Sequence, residues 1–256
     1  MISGLIGSYI RSRIYLPEPF DARSGLYGDV AFERITTQTA DGLDLAGLRN
    51  ASVNPPRYTM LFLHGNGGCA ATRAGLVAPL CQAGADVIVA DYRGYGTNPG
   101  RPTEEGLMAD ARTFADLALR TSDGPTILFG HSLGGAIAIR MQAEEGAGFD
   151  GLITLGAFAR LDWFVPVFAR RFLPDRFSAI EVANRIAKPW MLLHEVRDDV
   201  VPFRHGQALF AAVQGNSNVE FSALEGGDHA LDAAKLGRAV DAVLARCAGT
   251  PLSNAI

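Results

Sequence analysis

Residues 126–136 read TILFGHSLGGA, and this stretch decides the fold. An apolar, β-favouring run ends at Gly130, Ser132 follows, and Gly134 and Gly135 come next. A strand that turns sharply into a helix holds its turn residue in an unfavourable backbone conformation. The residues two places to either side must then be small, or strand and helix collide. Gly130 and Gly134 meet that demand. The turn exposes the serine hydroxyl, and the next backbone N–H points to where an oxyanion would form. The helix N-terminus adds a field that favours negative charge. GHSLG therefore reads as a nucleophile elbow around Ser132, with Leu133 supplying one oxyanion N–H.

Outward from this turn the chain keeps an α/β rhythm. TMLFLH (59–64), DVIVAD (86–91), TILFG (126–130), GLITLG (151–156) and PWMLLH (189–194) are apolar without alternation, as strands covered on both faces are. Helical patterns at 72–83, 103–121 and 133–145 fall between them. That order predicts a mostly parallel central sheet with helices on both faces. VAFERITTQT and LDLAGLRN, joined by Ala-Asp-Gly, predict an antiparallel hairpin at the sheet edge. VEFSAL (219–224) predicts a last strand. Residues 230–246 predict a closing helix with Leu231, Leu236, Val240, Val243 and Leu244 on one face. The interval 157–187 breaks the rhythm with short helical pieces and many aromatic residues, and it predicts a small helical cap. Phe158 and Trp163 are its candidate pocket walls. The whole span 1–256 is expected to form one domain, with 1–28 as an N-terminal segment.

The 256 residues carry a formal net charge of −4 and are 48% hydrophobic, a soluble, globular composition without the basic footprint of a nucleic-acid binder. Cys69, Cys81 and Cys247 are odd in number and lack C-x-x-C spacing. They predict reduced thiols and a cytoplasmic setting rather than a disulfide framework or zinc site. The N-terminal stripe Ile2, Leu5, Ile6, Tyr9 and Arg13 is too short to span a bilayer and reads poorly as a signal peptide. It is expected to pack on its own domain, with membrane-surface binding as the alternative.

A serine at its ordinary pKa needs a base, and the base needs an acid. Three histidines follow Ser132. His194 ends an apolar strand and reads as structural. His205 opens a helix without special context. His229 lies in GGDHA, a glycine-rich loop between the last strand and the last helix, from which an imidazole can reach the serine. The acid should follow strand 189–194, where HEVRDDVVPF offers Asp198 and Asp199. LFLHGNGG ends the first parallel strand in a glycine-rich loop, whose Asn66 N–H is the second oxyanion donor. His64 reads as a supporting or structural histidine.

Together HGNGG, DYRGYGTNPGRPTEEGLMADA, GHSLGG, HEVRDDVVP and GGDHA resemble the α/β-hydrolase superfamily, in order and approximate spacing, over about residues 30–246. The second block resembles serine hydrolases of the α/β-hydrolase-domain group, which are similar to prolyl-oligopeptidase-like catalytic domains. The resemblance implies Ser132 as nucleophile, His229 as base, Asp198 rather than Asp199 as acid, and Asn66 and Leu133 as oxyanion donors. Two departures stand out. Glu195 replaces the glycine usual in the acid loop and is expected to be exposed or salt-bridged. TNP replaces the serine usual after GYG. The implied activity is hydrolysis of a small ester or thioester through an acyl-enzyme, without metal or organic cofactor. A peptidase or amidase, or a binding protein on the same fold, are the competing expectations.

Overall fold

The structure is a computed structural model that describes residues 2–19, 26–27, 30–50, 55–144, 148–226, 229 and 233–249. Leu231 of the closing helix, and the Gly227, Asp228 and Ala230 neighbours of His229, lie outside the described residues. So do the side chains of Ile2, Leu5 and Ile6.

Eight strands form the central sheet: β1 Glu33–Gln38, β2 Asp44–Asn50, β3 Tyr58–Leu63, β4 Ala85–Ala90, β5 Thr126–His131, β6 Gly151–Leu155, β7 Trp190–Glu195 and β8 Val219–Leu224. Their order across the sheet is β8-β7-β6-β5-β3-β4-β2-β1. Every neighbouring pair from β8 to β4 is parallel, whereas β1–β2 and β2–β4 are antiparallel. The chain has the α/β-hydrolase architecture, with the hairpin at one edge. Among the described residues five longer helices accompany it: α1 Ile2–Ile14, α2 Glu104–Arg120, α3 Leu133–Gln142, α4 Arg204–Ala212 and α5 Ala233–Cys247.

Alternate residues of each central strand enter different cores. Leu61, Leu63, Leu128 and Leu192 pack with α2, α3 and α4, and Met60, Phe62, Phe129 and Leu193 pack with α5. Burial on both faces removes any pressure for polar alternation, which is why the sequence shows none. At about 25 cal/mol per Å² of apolar surface removed from water, these two cores supply the main driving force for folding.

The expected helix over 72–83 is broken. It runs as Ala70–Arg73, a 3-10 turn at Ala74–Leu76, and Ala78–Gln82. Pro79 has no N–H to donate to residue 75, so it begins a new helix instead of continuing the old one. Between β6 and β7 the chain makes four 3-10 turns: Leu161–Phe164, Val167–Phe172, Ala179–Glu181 and Ala183–Arg185. The three cysteines are all free.

Candidate active site

Ser132 joins β5 to α3 with φ 53° and ψ −115°. That region is rarely occupied by a residue with a side chain, so the surroundings must hold it. They do so through backbone. The Ser132 N–H donates to Leu155 O at 2.9 Å, and its carbonyl accepts from Gly135 and Ala136. A Cβ on Gly134 would overlap the Leu63 carbonyl, and one on Gly130 would lie 2.5 Å from Gly134 O. The two glycines thus let the helix start against the ends of β3 and β5.

His229, also in the left-handed region at φ 52°, turns its ring to Asp198. Its Nδ1 donates to Asp198 Oδ2 at 2.5 Å. Asp198 Oδ1 accepts from the N–H groups of Val200 and Val201, at 2.9 and 2.7 Å. Burial alone would raise the Asp198 pKa. The bond from His229 and the two backbone N–H groups outweigh burial and hold it below its ordinary value. Asp199 is exposed. His229 Nε2 is buried, and no hydrogen bond joins it to Ser132 or to any other described residue. Both residues nevertheless meet at the β6 terminus: Ser132 bonds Leu155, and the His229 ring lies against Gly156, where a Cβ would come within 2.6 Å of Cε1.

Glu195, expected to be exposed or salt-bridged, is buried. It is 5% exposed, and its Oε2 accepts the His229 backbone N–H at 3.0 Å. His131 contributes from the other side. Its Nε2 donates to His229 O at 3.2 Å, and the two rings lie 4.8 Å apart. Burial, with His229 and Arg73 nearby, pushes the His131 pKa down to about 3, so the ring is neutral at ordinary pH. His194 is wholly buried, donates Nε2 to Val201 O at 2.8 Å, and so braces the acid loop. His205 also has a role that its sequence context did not show. It is wholly buried, accepts the Ala159 N–H at 3.1 Å, and stacks on Phe164.

Leu133 is the first residue of α3, so its N–H has no intrahelical acceptor. The Asn66 peptide is fixed by its other groups. Its carbonyl accepts from Leu16 N–H and Tyr95 Oη, both at 3.0 Å, and its side chain donates to Ile14 O at 2.9 Å. Asn66, Ser132 and Leu133 line one cleft. His64 lies beneath, wholly buried, bonded to Gly65 O and Asp91. Among the described residues no cluster of His, Cys, Asp or Glu could hold a metal ion.

The cleft encloses about 380 Å³ and is mainly apolar, a volume suited to one small ligand. Phe158 is part of its wall. Trp163 is not: its ring packs 5.1 Å from that of His205, and Phe164 takes the lining position. α1 also lines the cleft, through Tyr9, Ile10, Arg13 and Ile14. Sequence reading missed this wall. The stripe through Tyr9 and Arg13 was expected to pack on its own domain, and the spacing of Ile10 and Ile14, one helical turn apart, was a further signal.

Several known proteins are similar to this chain. Residues 54–174 match the family described as serine aminopeptidase, S33. An uncharacterized protein of Mycobacterium tuberculosis is 32% identical over 220 residues, covering 81% of this chain and 76% of that protein. Human alpha/beta hydrolase domain-containing protein 17B is 30% identical over 228 residues, covering 86% of this chain and 76% of that protein. The lysophosphatidylserine lipase ABHD12 of Macaca fascicularis is 34% identical, over 59% of this chain and 44% of that protein. Among solved structures, a Pyrococcus furiosus esterase superposes with a TM-score of 0.69 at 18% identity, covering 91% of this chain and 98% of that one. That last likeness concerns the fold. The chain belongs to the α/β-hydrolase superfamily, among its α/β-hydrolase-domain proteins, and is a hydrolase by family.

Proposed function

We propose that this protein is a serine hydrolase that cleaves carboxylic esters or thioesters through an acyl-enzyme. The observation that carries the reading is the strained Ser132 turn on an apolar cleft, beside a histidine whose Nδ1 is committed to Asp198. With Nδ1–H donated to the carboxylate, Nε2 is left as the basic nitrogen. His229 takes the Ser132 proton as Oγ attacks the substrate carbonyl. The N–H groups of Asn66 and Leu133 hold the tetrahedral oxyanion. His229 then protonates the leaving alcohol or thiol, and water releases the acid by the same route. Asp198 keeps the imidazole in the required tautomer and stabilises its charged form. The apolar walls suit an acyl chain as the bound part of the substrate. The serine-aminopeptidase family match favours, as a second reading, a small amide as substrate.

The test is hydrolysis of p-nitrophenyl esters of increasing acyl length, with matched anilides, by wild type and Ser132→Ala. Wild-type ester turnover that falls by about 10³-fold or more in the variant supports the reading. Anilide turnover above ester turnover moves it to an amidase. Equal rates in both proteins, or failure of a fluorophosphonate to label Ser132, overturn it.

A further inference from the structure

The turn Val167–Phe172, in the stretch between β6 and β7, buries none of its side chains. Val167 is 75% exposed, Phe168 74% and Phe172 49%. Large apolar side chains exposed side by side are unusual on a soluble surface and mark a contact site. This patch is continuous with the cleft. Phe164 and Val165 precede it, Leu173 follows it, and all three line the cleft wall. Also lining the cleft, Tyr9 of α1 is 69% exposed and Val200 of the acid loop 52%. The cleft thus opens through a ring of apolar side chains.

The charges on the turn itself have one sign. Arg170 and Arg171 close the turn, which contains no acidic residue, and Arg171 lies 4.7 Å above the Phe172 ring. Arg13, exposed, stands on the α1 side of the mouth. The protein as a whole carries −4, so this local positive charge runs against its average. Of the nearby acids, Asp175 is bonded to Arg11, and Asp162 and Glu181 to Arg160, whereas Asp199, beside Val200, is exposed.

We propose that this face docks on an anionic lipid surface. Phe168, Val167 and Phe172 enter the headgroup–acyl boundary, and Arg170, Arg171 and Arg13 meet the anionic headgroups. A protein seated on the same patch would cover the mouth of the cleft. A lipid surface would instead bring acyl chains directly to it. Among the described residues no helix is long and apolar enough to cross a membrane, and the proposed contact is a peripheral one. Delivery of substrate from the surface rests on the ester-hydrolase reading, whereas the docking itself does not.

The experiment is co-sedimentation of the whole chain with phosphatidylcholine vesicles, with and without phosphatidylglycerol. Wild type, Phe168→Ser/Phe172→Ser and Arg170→Gln/Arg171→Gln are compared, and hydrolysis of a short soluble ester and circular dichroism report folding. The proposal expects binding to the anionic vesicles and much weaker binding to the neutral ones. Loss of both arginines lowers binding by about 30-fold, and loss of both phenylalanines by about tenfold or more. Circular dichroism and short-ester turnover stay at wild-type values. No binding to either vesicle, equal binding to both, or binding unchanged in both variants overturns it. So does a concentration-dependent dimer that both variants abolish, which would assign the patch to a second copy. An absence of esterase activity in wild type would sink the ester-hydrolase reading and leave the vesicle result standing.

Discussion

Glu195 and His131 hold the His229 peptide from opposite sides, one taking its N–H and the other donating to its C=O. A left-handed conformation at a residue with a Cβ costs about 1–2 kcal/mol. One hydrogen bond to a charged group contributes about 1.5–3 kcal/mol and a neutral one about 1 kcal/mol, so the clamp outweighs the strain. Glu195→Ala should therefore lower kcat on a short ester by about tenfold to 100-fold, with KM little changed, because the imidazole loses its position while the cleft keeps its walls. Glu195→Gln should recover most of that loss, since an amide oxygen still accepts the N–H. Equal damage from both variants would refute the positional argument. Composition and spacing singled out Ser132 and His229, because glycine context is local information. The two neighbouring aspartates were left open by the residues alone; the family resemblance pointed to Asp198, and in the fold Asp198 turns inward onto Val200 and Val201, while Asp199 points to water. The burial of Glu195 was not legible, since nothing nearby in sequence announces a partner 34 positions away.

At the scale of elements, glycine is a structural demand in one helix and a free choice in another. In α3, Gly134 lies against the Leu63 and His64 carbonyls, and backbone cannot yield as a side-chain tip can. Gly134→Ala should destabilise the fold by upwards of about 3 kcal/mol, read as insolubility or an early urea transition. Gly237 in α5 has nothing within 4 Å of the place a Cβ would take. Gly237→Ala should raise stability by about 1 kcal/mol, and a lower melting temperature would contradict that. The strands were legible to within a residue or so because both-face burial writes a continuous apolar run. The stretch 72–83 was less so: its apolar spacing is helical, yet Pro79 divides it. The 3-10 turns between β6 and β7 have no sustained period to read, which is how Trp163 and not Phe164 came to be expected in the cleft wall.

For the molecule as a whole, the buried histidines set how stability follows pH. The His131 pKa falls to about 3 and the His205 pKa to about 4, each chiefly through burial. An unfolded histidine titrates near 6.5. Below that pH the unfolded chain takes up protons that the native chain refuses, so stability is full above pH ~6.5 and declines as pH falls towards the native values. His131 alone should contribute a slope of about 1.4 kcal/mol per pH unit, and urea midpoints from pH 7 to pH 5 would show it. His131→Gln should flatten that slope. A second long-range tie governs the cleft. Asp175, buried, accepts from Arg11 at 2.8 and 3.1 Å and from the Glu104 N–H at 3.1 Å. One carboxylate so joins α1, the start of α2 and the stretch after Phe172, across 164 positions of chain. Asp175→Ala leaves Arg11 able to reach water and frees α1, which carries Tyr9, Ile10, Arg13 and Ile14 of the cleft wall. Ser132, Asp198 and His229 sit on other elements and keep their geometry, and Asn66 stays tied to Tyr95 when its bond to Ile14 loosens. The variant should therefore hydrolyse an acetyl ester nearly as wild type does, while KM for a long-chain ester rises by about tenfold, as lost apolar contact requires. A long-to-short kcat/KM ratio that stays at the wild-type value would mean that α1 does not hold the acyl chain.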